Sequence, residues 1–142
     1  MESVVSYTSH EIDFEIDAED SVTNWILRLV SENGKEVEHL DYIFCSDEFL
    51  LQMNQEHLKH DYYTDILTFP FTEEESSSLS GEIFISIDRV RENARQYKQA
   101  FVEELHRVMI HGVLHLLGQD DHGENESVMR KREQAALQLR EF

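Results

Sequence analysis

The stretch Phe101–Leu117, FVEELHRVMIHGVLHLL, constrains the fold most. Phe101, Val102, Leu105, Val108, Met109, Ile110, Val113, Leu114, Leu116 and Leu117 leave almost no polar stripe on a helix drawn through it. A helix that is apolar all round has no face to offer water, so it belongs at the centre of the protein. It is too short, and carries too many histidines, to span a bilayer. The rest of the chain must therefore supply its cover.

That cover reads as alternating strands and helices. Val4–Phe14 alternates loosely, as a strand does, and Ala18–Ser31 places Val22, Trp25, Ile26 and Leu29 on one helical face before Gly34. Val37–Cys45 reads as a strand. Ser46 is placed to cap a helix over Asp47–Leu58 that buries Phe49, Leu50 and Met53. Asp65–Phe71 is a short strand whose Pro70 suits an end or an edge. Gly81–Ile87 alternates most strongly, and Asp88 is placed to cap a helix reaching about Gln99. The central helix ends at Gly118, and an amphipathic helix follows over Glu126–Arg140. Thr72–Ser80, TEEESSSLS, reads as a mobile loop. The expected architecture is α/β (α+β): one domain over residues 1–142, with a mixed sheet of four strands, five helices and a buried histidine-bearing helix. Strand order is left open, because the connections permit both hairpins and crossovers.

Charge limits the functional classes. Lys+Arg number 12 and Asp+Glu 30, a formal balance of −18. That excludes a grip on nucleic acid through bulk positive charge, though not through a local patch. The one cysteine, Cys45, excludes an intrachain disulfide and a Cys-rich zinc finger, and reads as a small core residue. No basic start followed by an apolar block is visible, so a cytoplasmic place and no membrane are expected.

The chemistry is concentrated in HGVLHLLGQDDH. His111 and His115 stand four apart, about 40° from each other on one helix face, close enough to share an ion. Two histidines on a buried helix are costly without a common partner. Gly118 permits a sharp exit, after which His122 can fold back. Three imidazoles with an open fourth position make a catalytic zinc site, which activates a bound water as nucleophile. Where zinc peptidases carry a glutamate base in H-E-x-x-H, this chain has Gly112, which disfavours peptide hydrolysis and leaves phosphodiester hydrolysis open. His106 falls about 140° around the helix from His111, outside such a site. Arg89, Arg91, Arg95 and Lys98 in one helix, and Arg130, Lys131 and Arg132 in another, are seven of the 12 basic residues. They form either a phosphate-facing groove or ordinary solvated helix faces.

These residues resemble the YbeY family of metal-dependent endoribonucleases, whose signature is HGxLHLxGxDH. NQEHLKHDYYTDILTFPF is similar to the family segment leading into a TDVLSFPF strand, GEIFIS to its GDIxIS strand, and ESVMRKREQAALQLR to its closing MRxxExxxL helix. The segments fall in the family order over about two-thirds of the chain. The resemblance implies a compact α/β fold, one zinc held by three histidines, and cleavage of single-stranded RNA. It also implies work at the 3′ end of 16S ribosomal RNA, ribosome quality control, and partnership with the small subunit or its assembly factors.

Two departures alter the expectation. His122 comes one residue later than the signature places its third histidine, and Asp121 holds that position. His122 is the expected ligand because such sites favour imidazole, with Asp121 as the alternative carboxylate. Leu58 stands where many members have an arginine, so Lys59, His60 or the helix with Arg89, Arg91, Arg95 and Lys98 would contact RNA phosphate instead. Asp120 and Asp121 are the candidate catalytic acids. The competing readings are an assembly factor with a structural metal and, less favoured by Gly112, a metalloprotease or amidase.

Overall fold

The computed structural model describes residues 4–58 and 64–142. Its elements are β1 (Val5–His10), α1 (Glu19–Glu32), β2 (Glu36–Cys45), α2 (Asp47–Leu58), β3 (Ile66–Pro70), β4 (Ser78–Ser86), α3 (Ile87–Gln96), α4 (Phe101–Leu116) and α5 (Asn125–Gln138). The strands form one sheet in the order β1-β2-β4-β3. β1, β2 and β4 run parallel, and β3 is antiparallel to β4 at the edge. Parallel neighbours need a long crossover, which α1 supplies between β1 and β2. The antiparallel pair needs only the short acidic connection after Pro70. This is the mixed sheet and helix set expected from the sequence.

Alternation along the strands sorts side chains to two faces. Leu40, Tyr42 and Phe44 of β2 and Ile83 and Ile85 of β4 join the main core with α1 and α4. Cys45, Leu67 and, partly buried, Phe84 turn the other way, against Leu50 of α2. The middle of α4 is fully buried from Val108 to Ile110, and the Tyr42 hydroxyl donates to the Met109 carbonyl at 3.0 Å. That bond satisfies the phenol and fixes α4 over β2. Trp25 of α1 donates its indole N–H to the Ala136 carbonyl of α5 at 2.8 Å.

Several boundaries shift for local reasons. β1 stops at His10 because Glu11 takes a left-handed conformation, φ 58°. Ser46 caps α2 as expected, its hydroxyl accepting from the Phe49 N–H at 3.2 Å. Phe49 and Met53 are only partly buried, because α2 alone covers that face of the sheet. β4 runs directly into α3, so Ser86 rather than Asp88 is the cap, accepting from the Arg89 N–H at 3.1 Å. Asp88 instead accepts from the first N–H of α2, at Asp47 (2.9 Å). The acidic loop is shorter than expected, since Ser78–Ser80 pair in β4. At the start of α4, Val102 is 42% exposed. Among the described residues no helix is long and apolar enough to cross a membrane.

Candidate metal centre

α4 ends in a Schellman turn. The Gly118 N–H bonds the His115 carbonyl at 2.9 Å and the Gln119 N–H bonds the Leu114 carbonyl at 2.9 Å. Gly118 adopts φ 98°, a conformation that strains any residue with a Cβ. The turn sends the chain back across the end of its own helix and sets which following side chain meets the histidine face.

That side chain is Asp121. Its Oδ2 lies 3.3 Å from His111 Nε2 and 3.3 Å from His115 Nε2. The three donor atoms lie within 4.8 Å of one another, and all three residues are partly buried. His122 faces elsewhere: its side chain is 88% exposed, with Nδ1 2.8 Å from Asp120 Oδ1 and 3.3 Å from Asp121 Oδ1. Asp120 also accepts from the His122 backbone N–H at 3.1 Å. These hydrogen bonds from His122 hold the Asp120 carboxyl below its ordinary range and raise the His122 imidazole. Asp120, Asp121 and His122 form a second possible ligand group, but Asp120 and His122 are exposed in the turn.

His111 is oriented from behind. Its Nδ1 is 2.6 Å from Glu133 Oε2, across from α4 to α5. Glu133 is 4% exposed. Burial raises its carboxyl, but the hydrogen bond from His111 and the charge of Arg107 outweigh that and hold it below its ordinary value. An ionised carboxylate can only accept, so Nδ1 carries a proton, and in the neutral ring Nε2 is then the nitrogen that presents its lone pair. This is the carboxylate–histidine pairing that orients metal ligands.

The donor chemistry fits a cation. With His111 neutral and protonated on Nδ1, its Nε2 lone pair and the Asp121 carboxylate oxygen 3.3 Å away are both acceptors, a pair that a shared cation satisfies. A metal ion bound by both, together with His115, is such a cation. Two imidazoles and one carboxylate suit zinc.

The surroundings are charged and mostly paired. Arg107 of α4 donates to both oxygens of Glu104 (2.9 and 2.6 Å) and to Glu133 (3.2 Å), and lies 3.9 Å from Asp65. Burial raises the Asp65 carboxyl despite Arg107 and His111. A groove of about 700 Å³ opens beside the triad, lined by His111, Asp121, Arg107, Glu133, Tyr97 and Arg130 among others. Of the basic residues singled out in the sequence, Arg130 lines this groove, paired with Glu126 at 3.3 Å. Arg89 bonds Asp47 at 2.7 Å, Arg91 lies over Phe101 at 5.6 Å, and Arg95 pairs with Glu92 at 3.2 Å. Lys98 is exposed at φ 54°. Lys59 and His60 lie outside the described residues. His106 is apart from the centre, buried against Trp25, as its position on the helix requires.

Glu133 and Arg107 were not singled out by sequence reasoning. The MRxxE pattern of the closing helix is the signal that could have flagged Glu133. For Arg107 only the Glu104 pairing, three residues back on α4, is legible from spacing, because Glu133 lies on α5 and Asp65 just before β3.

A mixed α/β sheet carrying a His–His–Asp group at the end of its central helix defines a protein with a candidate single-metal site. The family model described as Endoribonuclease YbeY matches residues 5–140, and the chain belongs to that family. An Endoribonuclease YbeY of Bacteroides thetaiotaomicron is 47% identical over 119 residues, 83% of this chain and 85% of that protein. One from Cytophaga hutchinsonii is 41% identical over 142 residues, 99% of each chain. A solution structure of a Thermotoga maritima protein superposes with a TM-score of 0.67 at 27% identity, covering 95% of this chain and 87% of that one.

Proposed function

We propose that this protein is a zinc-dependent endoribonuclease, one catalytic domain over residues 1–142, that cleaves single-stranded RNA. Its work would be maturation of the 16S ribosomal RNA 3′ end and ribosome quality control in the cytoplasm, alongside the small subunit or its assembly factors. The convergence of His111, His115 and Asp121, in a member of an endoribonuclease family, carries this reading.

In it His111, His115 and Asp121 hold the zinc. The ion, when bound, makes a water nucleophilic near neutral pH and polarises a phosphoryl oxygen. Glu133 keeps the His111 ring turned with Nε2 forward. Asp120 holds His122 at the rim. The groove past Tyr97 and Arg130 gives a strand its approach, with Tyr97, 62% exposed, available to stack on a base. Lys59, His60, Arg91, Arg95 and Lys98 are the further candidates for phosphate contact.

The test is zinc content by elemental analysis, paired with cleavage of single-stranded and duplex RNA before and after chelation. About one zinc per chain, cleavage of the single strand only, and loss on chelation that zinc restores are expected. Zinc without cleavage under any condition would replace this reading with that of an assembly factor whose metal is structural.

A further inference from the structure

We propose that Arg107 is a positioning residue for the metal centre: it holds Glu133 in the one orientation that keeps His111 aimed at the ion. The proposal rests on the reading of His111 as a ligand. Both oxygens of Glu133 are engaged by α4. Oε1 accepts from Arg107 Nη1 at 3.2 Å, and Oε2 meets His111 Nδ1 at 2.6 Å. A carboxylate held at only one oxygen can turn about its last torsion, whereas one held at both cannot without breaking a bond. Arg107 stands one turn before His111 on the same helix face, so the two donors are spaced to grip a single carboxylate.

Arg107 is itself fixed. Its Nε and Nη2 form a two-pronged pair with Glu104, at 2.9 and 2.6 Å. Glu104 is 3% exposed, and its hydrogen bonds to the guanidinium are the main reason Arg107 is held firmly charged. The planar fork then leaves Nη1 directed at Glu133, a geometry that a lysine ammonium does not reproduce. The result is a chain of contacts from Glu104 through Arg107 and Glu133 to His111, placed behind the ring rather than in front of it. Arg107 need not touch substrate or metal to act.

The test uses the full chain with Arg107→Met. Because that change strands Glu104, a second variant combines Arg107→Met with Glu104→Gln. Arg140→Met is the control: it removes an equally two-pronged pair, at 3.0 and 2.9 Å, between Glu103 of α4 and Arg140 just past the end of α5, with no contact to His111. Two quantities are read. One is zinc affinity, by competition with a chromophoric chelator. The other is the His111 Nδ1–H resonance in zinc-free protein by NMR, which reports the grip on the ring without any metal.

Zinc affinity is expected to fall about 10- to 100-fold in both Arg107 variants. The Nδ1–H signal should be lost to solvent exchange in both, and Arg140→Met should alter neither quantity. Unchanged affinity in a folded Arg107 variant overturns the proposal. So does weakened affinity with the Nδ1–H signal intact, which would assign Arg107 a bulk charge effect. Wild-type protein that binds no zinc but shows the protected Nδ1–H overturns the metal reading instead.

Discussion

Gly112 lies flat against Ile83. A Cβ at Gly112 would stand 3.0 Å from both Cγ2 and Cδ1 of Ile83, and 2.9 Å from Cδ1 of Ile66. The glycine occupies the place of the zinc-peptidase glutamate, but its packing role is independent of any peptidase comparison. It lets α4 approach β4 and β3 closely enough to bring the histidine face to the sheet edge. Gly112→Ala should destabilise the protein by about 1–3 kcal/mol through overpacking, read as a lower urea midpoint. An unchanged midpoint would mean that the helix has room to spare.

Asp121 and His122 separate in a metal titration. Asp121→Ala removes the oxygen that faces both histidines, and zinc affinity should fall more than about 100-fold, beyond the loss typical of supporting residues. His122→Ala removes an exposed ring bonded to Asp120, and the loss should stay below about 10-fold. The reverse ranking would assign the third ligand to His122, the choice favoured from the sequence.

His106 predicts a pH dependence of stability in zinc-free protein. Burial, reinforced by the nearby Arg140 charge and opposed by Glu103, lowers its imidazole from 6.5 to about 4. The unfolded chain therefore binds a proton that the folded chain refuses between about pH 4 and 6.5. Stability from this group is fully present above 6.5 and is lost as pH falls through that window. Urea unfolding of wild type and His106→Gln across pH 4–8 should show a steeper acid loss in wild type, by on the order of 2 kcal/mol. Parallel profiles would contradict the assignment.

RNA affinity should depend weakly on salt. Few cations line the groove, and Arg130 among them is already paired with Glu126. A plot of log affinity against log salt for a single-stranded oligonucleotide should have a slope of about −2 or shallower. A slope steeper than about −4 would require a basic surface larger than the groove offers.

The central helix could be read almost residue by residue because its evidence is local: a nearly all-round apolar surface, a histidine pair one turn apart and a glycine at the end. The cap of α2 at Ser46 was local in the same sense. Strand order was not legible, because nothing in β2 or β4 records that they are neighbours. Asp88 shows how a correct chemical expectation can land on the wrong partner. It does cap a helix, but α2 rather than its own, since β4 enters α3 without a loop. At the metal centre the histidine pair followed from spacing. Which of Asp121 and His122 faces that pair depends on the hand and tightness of the turn at Gly118, which spacing does not encode. For Glu133 the MRxxE pattern marks the residue but not its role, since its relation to His111 spans two helices and exists only once α5 has docked.

The hydrogen bond from Trp25 to Ala136 gives that docking an optical signature. Trp25 is the only tryptophan in the chain, its indole is tied to the backbone of α5, and its ring lies 5.4 Å from His106. Emission from this one fluorophore therefore reports whether the last helix is seated, and with it whether Glu133 is in reach of His111. The protein carries an intrinsic probe that can follow assembly of its candidate metal centre in real time, without a label and before any metal is added.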